Sequence, residues 1–281
     1  MGLTVVKCGG SDAIDVDQLC ADIALVRAQG ERVLLVHGGA ADIARVAAEL
    51  GVPARSLRSP SGITSRYTDA AMLDVVTLAL VGRAKPRLLA ALSRAGVPAV
   101  GLTGLDAALL RAVRKPARRS VTEDGRVQLV RDDHSGRIVA VEPLSLQVLL
   151  DGGLLPVVSP PASAADGTPL NVDADRAAAA IAGALKADRL VLLTAAPGVL
   201  ADVQDPDSLL SSFALPADGS LDQVEHAASG GMQRKLVAAR EALQGGVPVV
   251  RIADGRVSRP LSAALSGAGS EITIAAESRV S

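Results

Sequence analysis

Short aliphatic runs alternate along the chain with longer segments of helical period. The runs are apolar at consecutive rather than alternate positions, which predicts parallel strands covered on both faces and joined by crossover helices. A strand over 3–7 meets the turn Gly9-Gly10-Ser11, and a helix over about 15–28 ends at Gly30. The same order repeats with a strand over 32–36, the turn His37-Gly38-Gly39 and a helix over 40–50 stopped by Gly51 and Pro53. The polar stretch 55–68 reads as a mobile substrate loop before a single helix over 69–92. A strand over 98–102 precedes a segment, 110–141, whose β-branched and charged residues alternate around Asp124-Gly125, the signature of an inserted β-hairpin. A helix over 143–150, a strand over 155–158 and a loop at Pro160-Pro161 follow. The alternation restarts at Asn171, which sets a boundary between lobes 1–170 and 171–281. The second lobe reads as a helix (173–187), a strand (189–193), a loop rich in Pro, Gly and Asp (195–220), a helix (232–243), a strand (247–252) and a last helix and strand. The expected fold is α/β, with an open, mainly parallel central sheet sandwiched by helices and a β-hairpin insertion.

Composition narrows what such a sheet does. With 49% hydrophobic residues among 281, a sizeable core is available and disorder is excluded. Twenty-nine basic against thirty acidic residues leave a formal charge of -1, so the chain is not a nucleic-acid-binding polycation. An aromatic content of 1% removes the stacking platforms that single-strand binders use. Cys8 and Cys20 form neither a disulfide framework nor a zinc pattern, and the start of the chain resembles no signal peptide, so a cytoplasmic protein is expected. The longest uncharged stretches are too short, and too rich in proline, to span a bilayer.

No P-loop, Rossmann glycine pattern, HExxH motif or nucleophile elbow is present. The histidines, His37, His134 and His226, are scattered and read as packing or solvated residues. What remains is two strand-to-helix turns built alike, Lys7-Cys8-Gly9-Gly10 and His37-Gly38-Gly39, at the carboxyl ends of strands where ligands of open sheets bind. Glycine there serves turn geometry or the close approach of an anion. Lys7 ends an aliphatic strand and points its charge toward that crevice. In Gly230-Gly231-Met232-Gln233-Arg234-Lys235, two cations fall in the predicted first turn of a helix, where the macrodipole disfavours them. Either both snorkel into water, or Lys235 completes a cationic clamp on a phosphoryl group. Asn171-Val172-Asp173-Ala174-Asp175 opens the alanine-rich helix as ordinary capping chemistry, or places Asn171 and Asp175 on one helical face with Asp175 between the two lysines, keeping both charged.

These pieces, with Ser65-Arg66-Tyr67-Thr68-Asp69 and Leu193-Thr194 followed by Pro197-Gly198-Val199, resemble in order and over nearly the whole chain the acetylglutamate kinase branch of the amino-acid kinases. The resemblance implies the amino-acid kinase fold and ATP-dependent phosphorylation of a side-chain carboxylate to an acyl phosphate, with Mg2+ on the nucleotide. It implies that Lys7 and Lys235 stabilise the transition state and that Asp175 organises them. Gly9, Gly10 and Gly231 would bind the nucleotide's phosphates, and Thr194 and Gly198 would lie along the nucleotide. Gly38, Gly39 and Ala40 would hold the acyl substrate, Arg66 its α-carboxylate, and Asn171 the region of the blocked α-nitrogen. A carboxylate nucleophile with a pKa of about 4.3 is ionised at neutral pH, so no general base is needed.

Within the family, the LysW-dependent aminoadipate kinases of lysine biosynthesis are the more similar branch, by Ser65-Arg66-Tyr67-Thr68-Asp69, Gly101-Leu102-Thr103-Gly104-Leu105-Asp106 and Ala253-Asp254-Gly255-Arg256-Val257. Arg111, Arg114, Lys115, Arg118 and Arg119, with Arg126, Arg131 and Arg137 beyond them, make a positive ribbon on the predicted hairpin. This ribbon is a solvated face, or it steers a small acidic carrier protein of the LysW type. Ala195-Ala196 stands where many family members have an acidic residue, and Gly269-Ser270 replaces a usual Gly-Thr. The chain starts almost directly at its first strand, without the extra helix of arginine-inhibited hexameric relatives, so a homodimer without arginine feedback is expected. Phosphorylation of free N-acetylglutamate is the alternative activity, and a non-catalytic amino-acid sensor the alternative of another class.

Overall fold

The computed structural model describes residues 2–10, 13–58, 64–121, 127–216 and 230–275. Two successive strand-turn-helix units open the chain: β1 (Leu3–Cys8) with α1 (Val16–Ala28), and β2 (Arg32–His37) with α2 (Ala40–Glu49). Asp15 caps α1, its carboxylate accepting from the backbone N–H groups of Asp17 (2.9 Å) and Gln18 (3.1 Å). The stretch read as a mobile loop is instead an antiparallel hairpin, β3 (Ser56–Arg58) and β4 (Thr64–Arg66). The helix expected over 69–92 is three pieces: α3 (Ala70–Thr77), a π-helical stretch (Leu78–Ala84) and α4 (Lys85–Arg94). Asp69 caps α3 through the Met72 N–H at 2.9 Å.

β5 (Ala99–Gly104) is followed by two nested hairpins rather than one. The outer pair, β6 (Leu110–Arg114) and β9 (Gly136–Val141), belongs to the main sheet. The inner pair, β7 (Arg118–Val121) and β8 (Val127–Val130), joins β3 and β4 in a separate four-stranded sheet of order β4-β3-β7-β8. The predicted turn at Asp124-Gly125 and the cation Arg126 lie outside the described residues. After α5 (Leu144–Asp151), β10 (Leu155–Ser163) runs straight through Pro160-Pro161, where a loop was expected. Its residues 155–159 pair with β5, and Ala162 and Ser163 pair with β11 (Pro169–Leu170), so the prolines occupy rungs at which no ladder N–H is called for.

The remainder comprises α6 (Ala174–Ala184), β12 (Arg189–Thr194), β13 (Ser212–Leu215), α7 (Gly231–Gln244), β14 (Val249–Asp254), α8 (Pro260–Leu265) and β15 (Ser270–Ile274). β13 lies within the stretch read as loop; it pairs in parallel with β15, Ser212 opposite Glu271. Among the described residues, eleven strands form one mainly parallel sheet, with β1 between β12 and β2, so the sheet runs unbroken across the 170/171 boundary. Alternate residues of β1 face opposite layers. Leu3 and Val5 enter the core made with α6 and α7, while Val6 and Cys8 enter the core made with α1, α4 and α8. Lys7 shares the parity of Leu3 and Val5, which directs it toward α6 and α7.

Candidate active site

Three ionisable side chains from distant parts of the chain meet at the carboxyl end of β1. Asp173 adopts the extended conformation of a helix cap, and its carboxylate accepts from the N–H groups of Asp175 (2.9 Å) and Arg176 (3.1 Å), so α6 begins at Ala174. Asp175 therefore sits in the first turn of α6 with its side chain toward β1. One of its oxygens lies 2.8 Å from Lys7 Nζ and the other 2.9 Å from Lys235 Nζ. The three residues are 6%, 6% and 7% exposed for Lys7, Asp175 and Lys235. Asn171 does not share the helix with Asp175, as one reading of the sequence had it; it precedes the cap and bridges to Ser135. Lys235 is the fifth residue of α7, so only Arg234 of the two cations stays within the first turn.

Burial and pairing compete at each of the three groups. Burial raises the Asp175 carboxyl, yet the two ammonium groups outweigh it and hold the acid below its ordinary value. Burial lowers Lys7, but the Asp175 carboxylate more than compensates and its pKa is raised. At Lys235, burial and the neighbouring Lys7 charge outweigh Asp175, so its pKa is lowered; the carboxylate does not favour both lysines equally. Two cations about one anion leave a buried excess of positive charge, an arrangement that favours an incoming anion.

The two glycine turns lie against one another beside this centre. A Cβ on Gly10 would stand 2.5 Å from the backbone nitrogens of both Gly39 and Ala40, so no other residue fits there. The Ala41 N–H donates to Gly10 O at 3.0 Å, which stitches the first turn to the start of α2. Gly9 is confined between Ile14 and the Leu193 carbonyl, and a Cβ on Gly38 would rest in ordinary van der Waals contact with Ala174 Cβ at 3.7 Å. Leu80 of the π-helical stretch occupies the space that a side chain on Gly39 would need. His37 is buried behind the second turn, hydrogen-bonded through Nδ1 to Gly38 O, and burial pushes its pKa down to about 4.

Asn171 Nδ2 donates to Thr68 Oγ1 at 3.0 Å, which draws the residues after the β3-β4 hairpin toward the segment that precedes α6. Arg66, two residues earlier, has no paired carboxylate among the described residues. Burial and the nearby Arg234 guanidinium lower its pKa, the environment of a cation awaiting an anion. Thr68, Asp133 and Ser135 form a buried polar cluster beside Asn171 that sequence reasoning did not single out. Arg111 and Arg114 are exposed on β6, and Lys115 follows them half-buried. The backbones of Arg118 and Arg119 form part of β7.

At the carboxyl end of β12, the Thr194 carbonyl accepts from Gly255 N–H at 2.7 Å. Packing requires glycine at 198, since a Cβ would stand 2.6 Å from Ser270 Oγ, which itself accepts from Val199 N–H at 2.8 Å. This bond gives the serine of Gly269-Ser270 a buried hydroxyl role. Gly231, first residue of α7, has nothing within 4 Å of where its Cβ would be, which leaves the helix start open. His134 has its Nδ1 buried, and His226 lies outside the described residues. No helix among the described residues is long and apolar enough to cross a membrane.

A model of the amino acid kinase family matches residues 2–254. A LysW-aminoadipate kinase of Deinococcus radiodurans is 42% identical over 273 residues, covering 97% of this chain and 92% of its own. An acetylglutamate kinase of Desulfitobacterium hafniense is 39% identical over 256 residues, covering 90% of this chain and 84% of its own. Among solved structures, smu.665 from Streptococcus mutans UA159 superposes with a TM-score of 0.74 at 22% identity, covering 96% of this chain and 98% of that one, a likeness of fold.

Proposed function

The chain belongs to the amino acid kinase family, and from that membership we propose that it transfers the γ-phosphoryl group of ATP to the side-chain carboxylate of L-2-aminoadipate, or glutamate, whose amino group is attached to a small acidic carrier protein of the LysW type. The observation that carries the chemistry is the buried Lys7-Asp175-Lys235 centre. The relative named for aminoadipate carried on LysW, 42% identical over nearly the full chain, supports the acceptor.

In the proposed reaction the acceptor carboxylate attacks as an anion, so no residue has to remove a proton. Charge spreads over the oxygens of the transferring group, and the two ammonium groups meet it there; Asp175 fixes their separation before the substrate arrives. Gly9, Gly10 and Gly231 would bring backbone N–H groups to the phosphates, and Thr194 and Gly198 would flank the nucleotide. Gly38, Gly39 and Ala40 would cradle the acyl group while Arg66 pairs with its α-carboxylate and Asn171 approaches the substituted nitrogen. Lobe 1–170 would thus serve the acyl group and carrier, and lobe 171–281 the nucleotide. Arg111, Arg114, Lys115, Arg118 and Arg119 would orient the carrier.

Among the described residues no group of three or more His, Cys, Asp or Glu could hold a metal ion, and Asp175 is engaged by two lysines. That donor set fits a Mg2+ that arrives on the nucleotide's phosphates, where it would neutralise their charge, rather than one held in a protein cage. The enzyme is further proposed to be a cytoplasmic homodimer; Leu78 and Val81, exposed apolar residues of the π-helical stretch, are consistent with a covered face.

Trapping the acyl phosphate with hydroxylamine, with carrier-linked aminoadipate in one reaction and free N-acetylglutamate in another, tests the reading. Turnover of the carrier-linked acid is expected. Robust turnover of N-acetylglutamate alone would favour the activity for which the Desulfitobacterium hafniense relative is named, and no ATP turnover with either would favour a sensor.

A further inference from the structure

Asp133, in the segment joining β8 to β9, is a buried carboxylate for which the phosphoryl-transfer chemistry has no use. It accepts hydrogen bonds from Thr68 N–H (3.1 Å) and Ser135 O–H (2.9 Å). Its backbone carbonyl accepts from Arg114 Nε–H at 2.8 Å. The residues after it are clasped on three sides. His134 N–H donates to Thr68 O (2.7 Å), Asn171 N–H to His134 O (2.9 Å), Gly136 N–H to Asn171 O (2.7 Å) and Lys115 N–H to Ser135 O (2.9 Å). With the bond from Asn171 Nδ2 to Thr68 Oγ1 at 3.0 Å, a continuous chain of short contacts runs from an exposed arginine of the basic extension to the asparagine that precedes the Asp173 cap of α6.

Buried polar groups in such a network specify one arrangement only when every member is satisfied. Thr68 is anchored by its N–H to Asp133 and by its carbonyl to His134, which leaves its hydroxyl to aim Asn171. We propose that Asp133 is a positioning residue for the acyl substrate: it holds Thr68 and Asn171 in register and, through Arg114, ties that register to the surface on which the acidic carrier docks. This rests on the carrier-linked acceptor proposed above. Asp133 touches no substrate; it acts through Thr68.

The test compares Asp133→Ala, Asp133→Asn, Arg114→Ala and the double variant, as full chains, on carrier-linked aminoadipate. Asp133→Ala should lower kcat/KM on the order of 10- to 100-fold, chiefly through KM, with KM for ATP changed by no more than about twofold. Asp133→Asn keeps an oxygen that accepts from Thr68 and Ser135, and should stay within about threefold of the parent. The Arg114→Ala and Asp133→Ala effects should combine to less than their product. An unchanged KM in Asp133→Ala, equal impairment of Asp133→Asn, or multiplicative effects would each overturn the proposal. If Asp133→Ala does not fold, Thr68→Val against Thr68→Ser decides, since only the first removes the acceptor for Asn171; no rise in KM with Thr68→Val overturns it. Should the parent protein phosphorylate N-acetylglutamate but not the carrier-linked acid, the carrier reading fails separately. The hold of Asp133 on Thr68 and Asn171 is then tested by the same fall in kcat/KM on N-acetylglutamate.

Discussion

The Lys7-Asp175-Lys235 centre and the basic extension on β6 carry the same kind of charge in opposite surroundings. At the centre, two ammonium groups and a carboxylate lie within 2.9 Å contacts, almost without solvent. On the extension, Arg111 stands in water, and Arg114 is exposed while its Nε–H donates to Asp133 O. Water screens the guanidinium of Arg111, so it contributes little to folding and acts at a distance on whatever approaches. Nothing screens the first set, so the loss of one partner strands the others. Buried charge therefore couples stability to chemistry in this fold, whereas surface charge leaves recognition adjustable.

The largest test of that contrast is Asp175→Ala. Two buried lysines would then face each other unpaired, and a loss of about 3–5 kcal/mol in unfolding free energy is expected, read by urea titration. The pH dependence carries a definite sign. The Asp175 pKa is depressed, so its stabilisation is present above the unfolded carboxyl value of about 3.9 and is lost only as pH falls through the lower folded value. Lys7 is raised, so its share persists until pH climbs past its unfolded value of about 10.4. The contribution of these two groups in the parent should accordingly be flat across neutral pH. The stranded lysines of the variant, buried without a carboxylate, deprotonate more readily, so the deficit should shrink as pH rises. A deficit that disappears at pH 6 would mean that the trio is not ionised as drawn.

Next in size are the lysines as catalytic groups. Lys7→Ala and Lys235→Ala should each lower kcat by about 10²–10³-fold in the acyl-phosphate trap, the loss typical of one transition-state donor. Arginine should not rescue either, because its planar fork is larger than the buried space the ammonium occupies. A variant of either lysine retaining a tenth of the activity would remove it from the reaction.

The same contrast explains what could be read in advance. Lys7 ends an aliphatic strand, Asp175 opens a helix and Lys235 follows a glycine pair, so each carried a local signal of its own. The hairpin of β3 and β4 did not, because Arg58 meets Val121 only through a pairing between segments far apart in the chain. β13 is found only through β15, for the same reason. Proline in β10 argued against a strand by a sound rule, defeated because the rungs at Pro160 and Pro161 are skipped. Asp133 carried no pattern at all: an Asp in a polar run looks solvated until Thr68 and Ser135 close over it.

His37 offers a third setting, buried but uncharged. Burial pushes its pKa down to about 4, from about 6.5 when unfolded, despite the bond to Gly38 O. Above pH 6.5 the group costs nothing; as pH falls, the unfolded chain takes up the proton first and stability declines, by on the order of 3 kcal/mol at pH 4. His37→Gln should flatten that part of the acid limb relative to the parent in parallel denaturant titrations at pH 7 and pH 4.5. Equal slopes would show that the imidazole is protonated inside the fold.

The smallest effects belong to the extension. Arg111→Gln, at an exposed position, should change unfolding free energy by less than about 0.5 kcal/mol. Its effect should appear in the association rate with an acidic carrier, a few-fold slower at low salt and indistinguishable from the parent near 0.5 M, where the Debye length is only about 4 Å. Stopped-flow binding across a salt series measures both limits at once. If the deficit survived high salt, Arg111 would make a desolvated contact instead of steering from a distance, and the extension would have to be classed with the buried centre rather than against it.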